Sequence, residues 1–122
     1  MQKMLVVEDD DLSQKVLRKI FEIEFEIDVC KSADEFYEKY SNSSYDIILM
    51  DISIKGDKHG LELTKEIKLL PLHAKTPIIC LTAHAQKRTR KEAIESGSDL
   101  FIAKPVSNQD LKNAVSFLLN VK

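Results

Sequence analysis

The chain has 122 residues, room for one compact domain and not for two. Apolar residues make up 43% and charged residues 31%, which supports a real core and excludes a disordered composition. The formal charge of −2 gives no general pull toward nucleic acid or an anionic membrane, and no stretch approaches the ~20 apolar residues of a membrane span.

Met1-Gln2-Lys3-Met4 has no signal-peptide core, so a cytoplasmic protein is the expectation. Met4-Leu5-Val6-Val7 reads as a first strand and runs into four acids, Glu8-Asp9-Asp10-Asp11. Leu12, Val16, Ile20 and Ile23 then recur at helical spacing, with Leu17 and Phe21 widening the stripe, and predict a helix facing a core. Asp10 or Asp11 can cap that helix. Capping does not explain all four acids at the end of a buried strand, where they repel one another. A bound cation would relieve the repulsion.

Ile27-Asp28-Val29-Cys30 predicts a shorter, more polar strand nearer a sheet edge. Ser32 with Glu35 is a capping-box pattern opening a second helix, with Ala33, Phe36, Tyr37 and Tyr40 facing inward. A polar loop, Ser41 to Ser44, leads to Tyr45-Asp46-Ile47-Ile48-Leu49-Met50-Asp51. This is the pattern of a strand buried on both faces, with a carboxylate at its C-terminal end. A carboxylate there can be a nucleophile, a metal ligand or a helix cap, and ligand crevices of open α/β sheets lie at these ends.

Ile52 to Gly60 reads as an exposed loop with two glycines and a charge cluster. Leu63, Ile67 and Leu70 mark a third helix, stopped by Pro71. A fourth strand spans Pro77 to Ala83, and a charged helix from Ala85 to Ser96 ends at Gly97, a suitable cap. Leu100-Phe101-Ile102-Ala103 is a fifth strand, followed by Lys104-Pro105. Ser107 with Asp110 caps a last helix with the stripe Leu111, Val115 and Leu118. Cys30 and Cys80 lie in apolar runs and are expected as buried free thiols. Five strands alternating with five helices imply a parallel sheet covered on both faces through right-handed crossovers.

The strand ends bring chemistry to one edge: Glu8 and Asp9, Asp51, Thr82 with Ala83, and Lys104. An aspartate can attack a phosphoryl group to form an acyl phosphate. The group in transfer carries spread negative charge and needs electrostatic stabilisation. Mg2+ suits this role, with Asp9 and Asp51 as direct ligands and Glu8 through water. Lys104 supplies a point charge, the Thr82 hydroxyl a donor, and Ala83 leaves room.

This order and spacing resembles the receiver domain of response regulators in two-component signalling, from Met4 to Leu119. The resemblance implies the flavodoxin-like (βα)5 fold, a doubly wound sheet with strand order 2-1-3-4-5. It implies Asp51 as phosphoacceptor, served by a phosphohistidine on a sensor histidine kinase or histidine phosphotransfer protein. Glu8, Asp9 and Asp51 would hold Mg2+, completed by the backbone carbonyl of Ser53. Thr82 and Lys104 would contact the phosphoryl group, with Ala83 and Pro105 lining its pocket. Phe101 would be the switch aromatic, turning inward behind Thr82 and remodelling the face of helix four, strand five and helix five. Ser53 and His84 would tune dephosphorylation. The Lys104-Pro105 bond would be cis. Apart from its own phosphorylation and dephosphorylation, no enzymatic activity is implied.

Three departures stand beside the resemblance. Lys55 replaces the family's usual Pro, and Gly60, preceded by His59, lies one residue farther from Asp51 than usual. Ser53 and His84 individualise the tuning positions. Lys87, Arg88, Arg90 and Lys91 crowd helix four, a solvated face or a basic patch for a partner; nothing aromatic interleaves to suggest nucleic acid. An aspartate-based phosphatase would want an acid where Ser53 stands. A flavin-binding domain would want a phosphate loop where the four acids stand. The remaining alternative is a receiver-like interaction module that works without phosphorylation. A downstream effector or an output domain fused elsewhere is expected, and phosphorylation-dependent homodimerisation is a hypothesis. The sequence end fits a stand-alone receiver or a piece of a larger regulator or hybrid kinase.

Overall fold

Continuous apolar runs on β1 (Gln2–Val7), β3 (Ile47–Asp51) and β4 (Ile78–Thr82) need both faces covered, and the structure, a computed structural model that describes residues 1–52, 59–83 and 87–120, covers them. These strands form the middle of a five-stranded parallel sheet in the order β2-β1-β3-β4-β5. The edges are β2 (Phe25–Cys30) and β5 (Leu100–Ala103), the two strands in which most residues are not fully buried. The edge position expected for β2 is borne out.

Alternation along each strand sends side chains to two apolar layers. Leu5, Val7, Ile48, Met50, Ile78 and Cys80 join one layer with residues of α3 (Gly60–Leu69) and α4 (Lys87–Glu95). Met4, Val6, Ile47, Leu49, Ile79 and Leu81 join the other with α1 (Asp11–Phe21) and α5 (Asn108–Asn120). Cys30 and Cys80 are buried free thiols, and burial pushes the Cys30 thiol up to about 12. No described helix is long and apolar enough to cross a membrane.

The caps follow the sequence. Asp10 accepts from the Ser13 amide at 2.8 Å, Ser32 from Glu35 at 3.1 Å, and Ser107 from Asp110 at 3.0 Å. Gly97 ends the segment after α4 with φ of 95°, the left-handed conformation that glycine adopts without cost. His59 caps α3 through Nδ1, which accepts from the Leu61 amide at 3.2 Å.

Two expectations about helix faces are corrected. Leu12 and Val16 are 70% and 48% exposed, and Ile23 is exposed too, in the turn beyond α1. A helix lying on a sheet buries one side only, and here Leu17 and Phe21 take that side. Tyr37 also faces outward. The short α2 (Ala33–Glu35) widens into a π-helical turn over Phe36–Tyr40. Phe36 is then buried, while the Tyr37 hydroxyl reaches Glu66 Oε1 at 2.5 Å.

Asp99 fastens the end of the sheet remote from the acids. Its Oδ2 accepts from the Ile78 amide at 2.8 Å and from Lys68 Nζ at 3.0 Å, and Lys68 Nζ also donates to the Thr76 carbonyl at 2.7 Å. On the same side of the molecule, His73 is fully buried against the Phe36 and Tyr45 rings, with Nε2 2.8 Å from the Ser41 carbonyl oxygen.

Candidate functional site

Parallel register puts the chemistry at one edge. Val7 pairs with Met50, so the next residues on the two strands, Glu8 and Asp51, are neighbours. Asp51 pairs with Leu81, and Thr82 with Ala103, so Thr82 and Lys104 stand one step beyond. The Lys104 amide donates to the Thr82 carbonyl at 2.7 Å, and the Lys104-Pro105 bond is cis.

The four acids after β1 separate into different tasks. Asp10 caps α1, and exposed Asp11 pairs with Lys31 at 3.4 Å. Glu8 and Asp9 turn to the strand end, where with Asp51 they offer carboxylate oxygens that all lie within 4.8 Å of one another. Glu8 is 2% exposed and Asp51 8%. The Glu8 backbone is held from both directions: its amide donates to the Cys30 carbonyl at 2.8 Å, and its carbonyl accepts from Gln14 Nε2 at 2.5 Å.

Lys104 is the counter-charge. Its Nζ lies 3.3 Å from Asp51 Oδ2 and 3.5 Å from Glu8 Oε1. One cation does not balance the cluster. Burial, and then the neighbouring Asp51, push the Glu8 carboxyl up to about 7. Glu8 Oε1 is buried and makes no hydrogen bond. Three carboxylates crowded around one ammonium suit a hard divalent cation such as Mg2+, which binds carboxylates together with water. The residues present therefore fit the metal.

Gly60 sets how closely α3 approaches this edge. A Cβ there would lie 2.4 Å from Ile52 Cα and 2.6 Å from the Asp51 carbonyl oxygen, both backbone atoms. The sequence pattern places Gly60 in a loop; the structure makes it the first residue of α3 and a close neighbour of the Asp51 backbone.

Thr82 is buried at the end of β4, and Phe101 is half-buried on β5 opposite Cys80. The Arg90 guanidinium stands over the Phe101 ring, 5.6 Å from its centre. Ser53 and His84 lie outside the described residues, as does most of the loop after Asp51. Ala83 and Pro105 are exposed beside Lys104. They open onto an apolar groove of about 510 Å³ between α1 and α5, lined also by Leu12, Val16 and Val106. Sequence reasoning misses this groove. Its signal is an α1 stripe too wide for one buried face.

The model of the response regulator receiver domain family matches residues 4–116, nearly the whole of this fold and all of the site. The chain belongs to that family. It is 34% identical over 118 residues to the chemotaxis protein CheY of Halobacterium salinarum, covering 96% of each chain. It is 35% identical to the transcriptional regulatory protein ResD of Bacillus subtilis, covering 96% of this chain but 48% of that protein. The chain thus spans about half the length of such transcriptional regulators and nearly all of the chemotaxis protein.

Solved receiver domains share the fold. One is the receiver domain of sensor histidine kinase PA1611 from Pseudomonas aeruginosa, with a magnesium ion coordinated in its active site cleft. It superposes with a TM-score of 0.88 at 25% identity over 98% of both chains. Another is the CheY-like receiver domain protein from Methanospirillum hungatei, with a TM-score of 0.89 at 26% identity over 98% of this chain and 94% of that one. The flavodoxin-like expectation is borne out: strand order and helix placement are those of a receiver domain of two-component systems.

Proposed function

We propose that the chain acts as one receiver unit over residues 1–122, taking a phosphoryl group on Asp51 from the phosphohistidine of a sensor histidine kinase or a histidine phosphotransfer protein. The observation that carries this reading is the Glu8, Asp9 and Asp51 cluster with Lys104 Nζ 3.3 Å from Asp51. An Asp51 carboxylate oxygen attacks phosphorus, the phosphorus–nitrogen bond breaks, and the imidazole leaves with its electron pair and takes a proton. The product is an acyl phosphate.

Asp9 and Asp51 would hold Mg2+ directly, with Glu8 through water and the Ser53 backbone carbonyl as the further protein ligand. When bound, the metal supplies positive charge to the phosphoryl oxygens. Lys104 exchanges its contact with the Asp51 carboxylate for one with a phosphoryl oxygen, and the Thr82 hydroxyl donates to another. Ala83 and Pro105 border the space the group occupies. Ser53 and His84 are proposed to tune its hydrolysis back to the carboxylate.

The donor protein is proposed to lie along the groove between α1 and α5. Exposed Leu12 and Val16 form an apolar floor that ends at Lys104 and Pro105 beside the acids. The output is proposed to run through Thr82 and Phe101 to the face of α4, β5 and α5, where an effector, an output domain or a second copy binds. A cytoplasmic location fits a kinase-fed receiver.

Intact-protein mass spectrometry after incubation with acetyl phosphate and Mg2+ tests the reading. One added phosphoryl group is expected, absent without Mg2+ and absent in Asp51→Asn. No adduct, together with no binding of beryllofluoride, would replace this reading with a receiver-like module that works without phosphorylation.

A further inference from the structure

Arg90 on α4 places its guanidinium over the ring of Phe101 on β5, 5.6 Å from the ring centre. On the helix, the positions three and four residues on from Arg90 are Ala93 and Ile94, so neither offers a carboxylate to draw the guanidinium away. The ring lies on an edge strand and is half-buried against the apolar layer that contains Cys80 and Ala93. It therefore has a packed underside and an exposed rim, and Arg90 reaches it from the solvent side. A cation over an aromatic face is attracted by the ring quadrupole. Ring movement away from this position loses that attraction.

We infer that Arg90 is a positioning residue for the switch, a latch that holds Phe101 in the resting state and opposes its turn inward behind Thr82. The inference rests on the receiver reading above and adds a residue to its regulation. It gives one member of the basic cluster on α4 a partner within the chain. By linkage, a contact made in the resting state and lost in the phosphorylated one weakens binding of any phosphoryl mimic to the same extent. At an exposed site such a contact is worth roughly a two- to five-fold shift in the equilibrium.

The test is titration of the full chain with beryllofluoride in the presence of Mg2+, followed by ¹H–¹⁵N NMR, for the parent, Arg90→Gln, Arg90→Lys, Phe101→Leu and the Arg90→Gln/Phe101→Leu double variant. Arg90→Gln is expected to bind about two- to five-fold more tightly than the parent, and Arg90→Lys to stay within two-fold of it. In the Phe101→Leu background, Arg90→Gln is expected to change nothing, because the ring that the cation covers is gone. Equal affinity of parent and Arg90→Gln, or an equal gain in both backgrounds, would overturn the latch while leaving the receiver reading intact. Failure of the parent to bind beryllofluoride would instead overturn the receiver reading and the latch with it.

Discussion

Lys104 Nζ lies 3.3 Å from Asp51 Oδ2, which ties the residue after β5 to the last residue of β3 across the whole width of β4. The same ammonium stands 3.5 Å from Glu8 Oε1, so one cation serves two carboxylates from separate strands. Lys104→Met should slow labelling by acetyl phosphate about 100- to 1,000-fold, the usual effect of removing one preorganised donor from a developing charge. The same variant should bind Mg2+ more tightly, since a competing cation is gone. A labelling time course by mass spectrometry beside a Mg2+ titration separates the two effects. An unchanged labelling rate would reduce the ion pair to a resting-state contact.

Glu8 makes the site sensitive to pH. Its carboxyl titrates near 7 in the folded chain against an ordinary value of 4.5, so between those values the folded form holds more protons than the unfolded one. The stabilisation from that proton is complete below 4.5 and is lost as pH rises through 7. Without Mg2+, the unfolding free energy from urea denaturation should therefore fall between pH 5 and pH 8, by an amount on the order of 1–3 kcal/mol. Mg2+ affinity should rise over the same window, because the metal competes with the proton. Glu8→Gln should flatten the pH dependence of the metal-free midpoint.

Gly60→Ala should be costly although alanine favours helices. The new methyl would meet Ile52 Cα at 2.4 Å and the Asp51 carbonyl oxygen at 2.6 Å, and backbone atoms have little freedom to retreat. A loss of about 2–3 kcal/mol in urea denaturation is expected. Because the displaced backbone carries Asp51, labelling by acetyl phosphate should also slow. A variant as stable as the parent would mean that α3 shifts freely along the sheet.

A variant in the groove between α1 and α5 tests whether the donor docks there as proposed. Val16→Asp places a charge on its apolar floor at a position that is 48% exposed, so the core is spared. Transfer from a phosphorylated histidine phosphotransfer protein should fall by at least about ten-fold, while labelling by acetyl phosphate stays within two-fold, since an interface anchor is worth roughly 1–2 kcal/mol or more. Equal losses with both donors would place Val16 in the chemistry or the folding and not in docking.

Much of this fold could be read from local pattern. Unbroken apolar runs at Met4 to Val7, Ile47 to Met50 and Ile78 to Leu81 specify strands buried on both faces, and Ser32, Ser107 and Gly97 mark helix ends by chemistry that acts within a few residues. The convergence of Glu8 and Asp9 with Asp51 depends on β1 and β3 being neighbours, a long-range fact that spacing does not carry; the family resemblance supplied it. The exposed side of α1 misleads because Leu12 and Val16 keep helical period with the buried residues. Periodicity reports a face, not what covers it. His73 left no signal at all. It sits in a short connection between α3 and β4, and is buried because Phe36 and Tyr45 fold over it from distant parts of the chain.

Asp99 gives the molecule a built-in asymmetry. By bolting the first residue of β4 to α3 and to the residue just before β5, it makes the remote pole of the sheet a fixed base. Thr82 and Lys104 lie toward the other pole, at the far ends of β4 and β5, and Phe101 stands between, paired with Cys80. Two strands clamped at one end behave as a cantilever, in which small displacements at the free tips need no repacking at the root. If Asp51 takes a phosphoryl group as proposed, movement at Thr82 and Lys104 can pass sideways toward the edge of the sheet without disturbing the Asp99 clamp at its base.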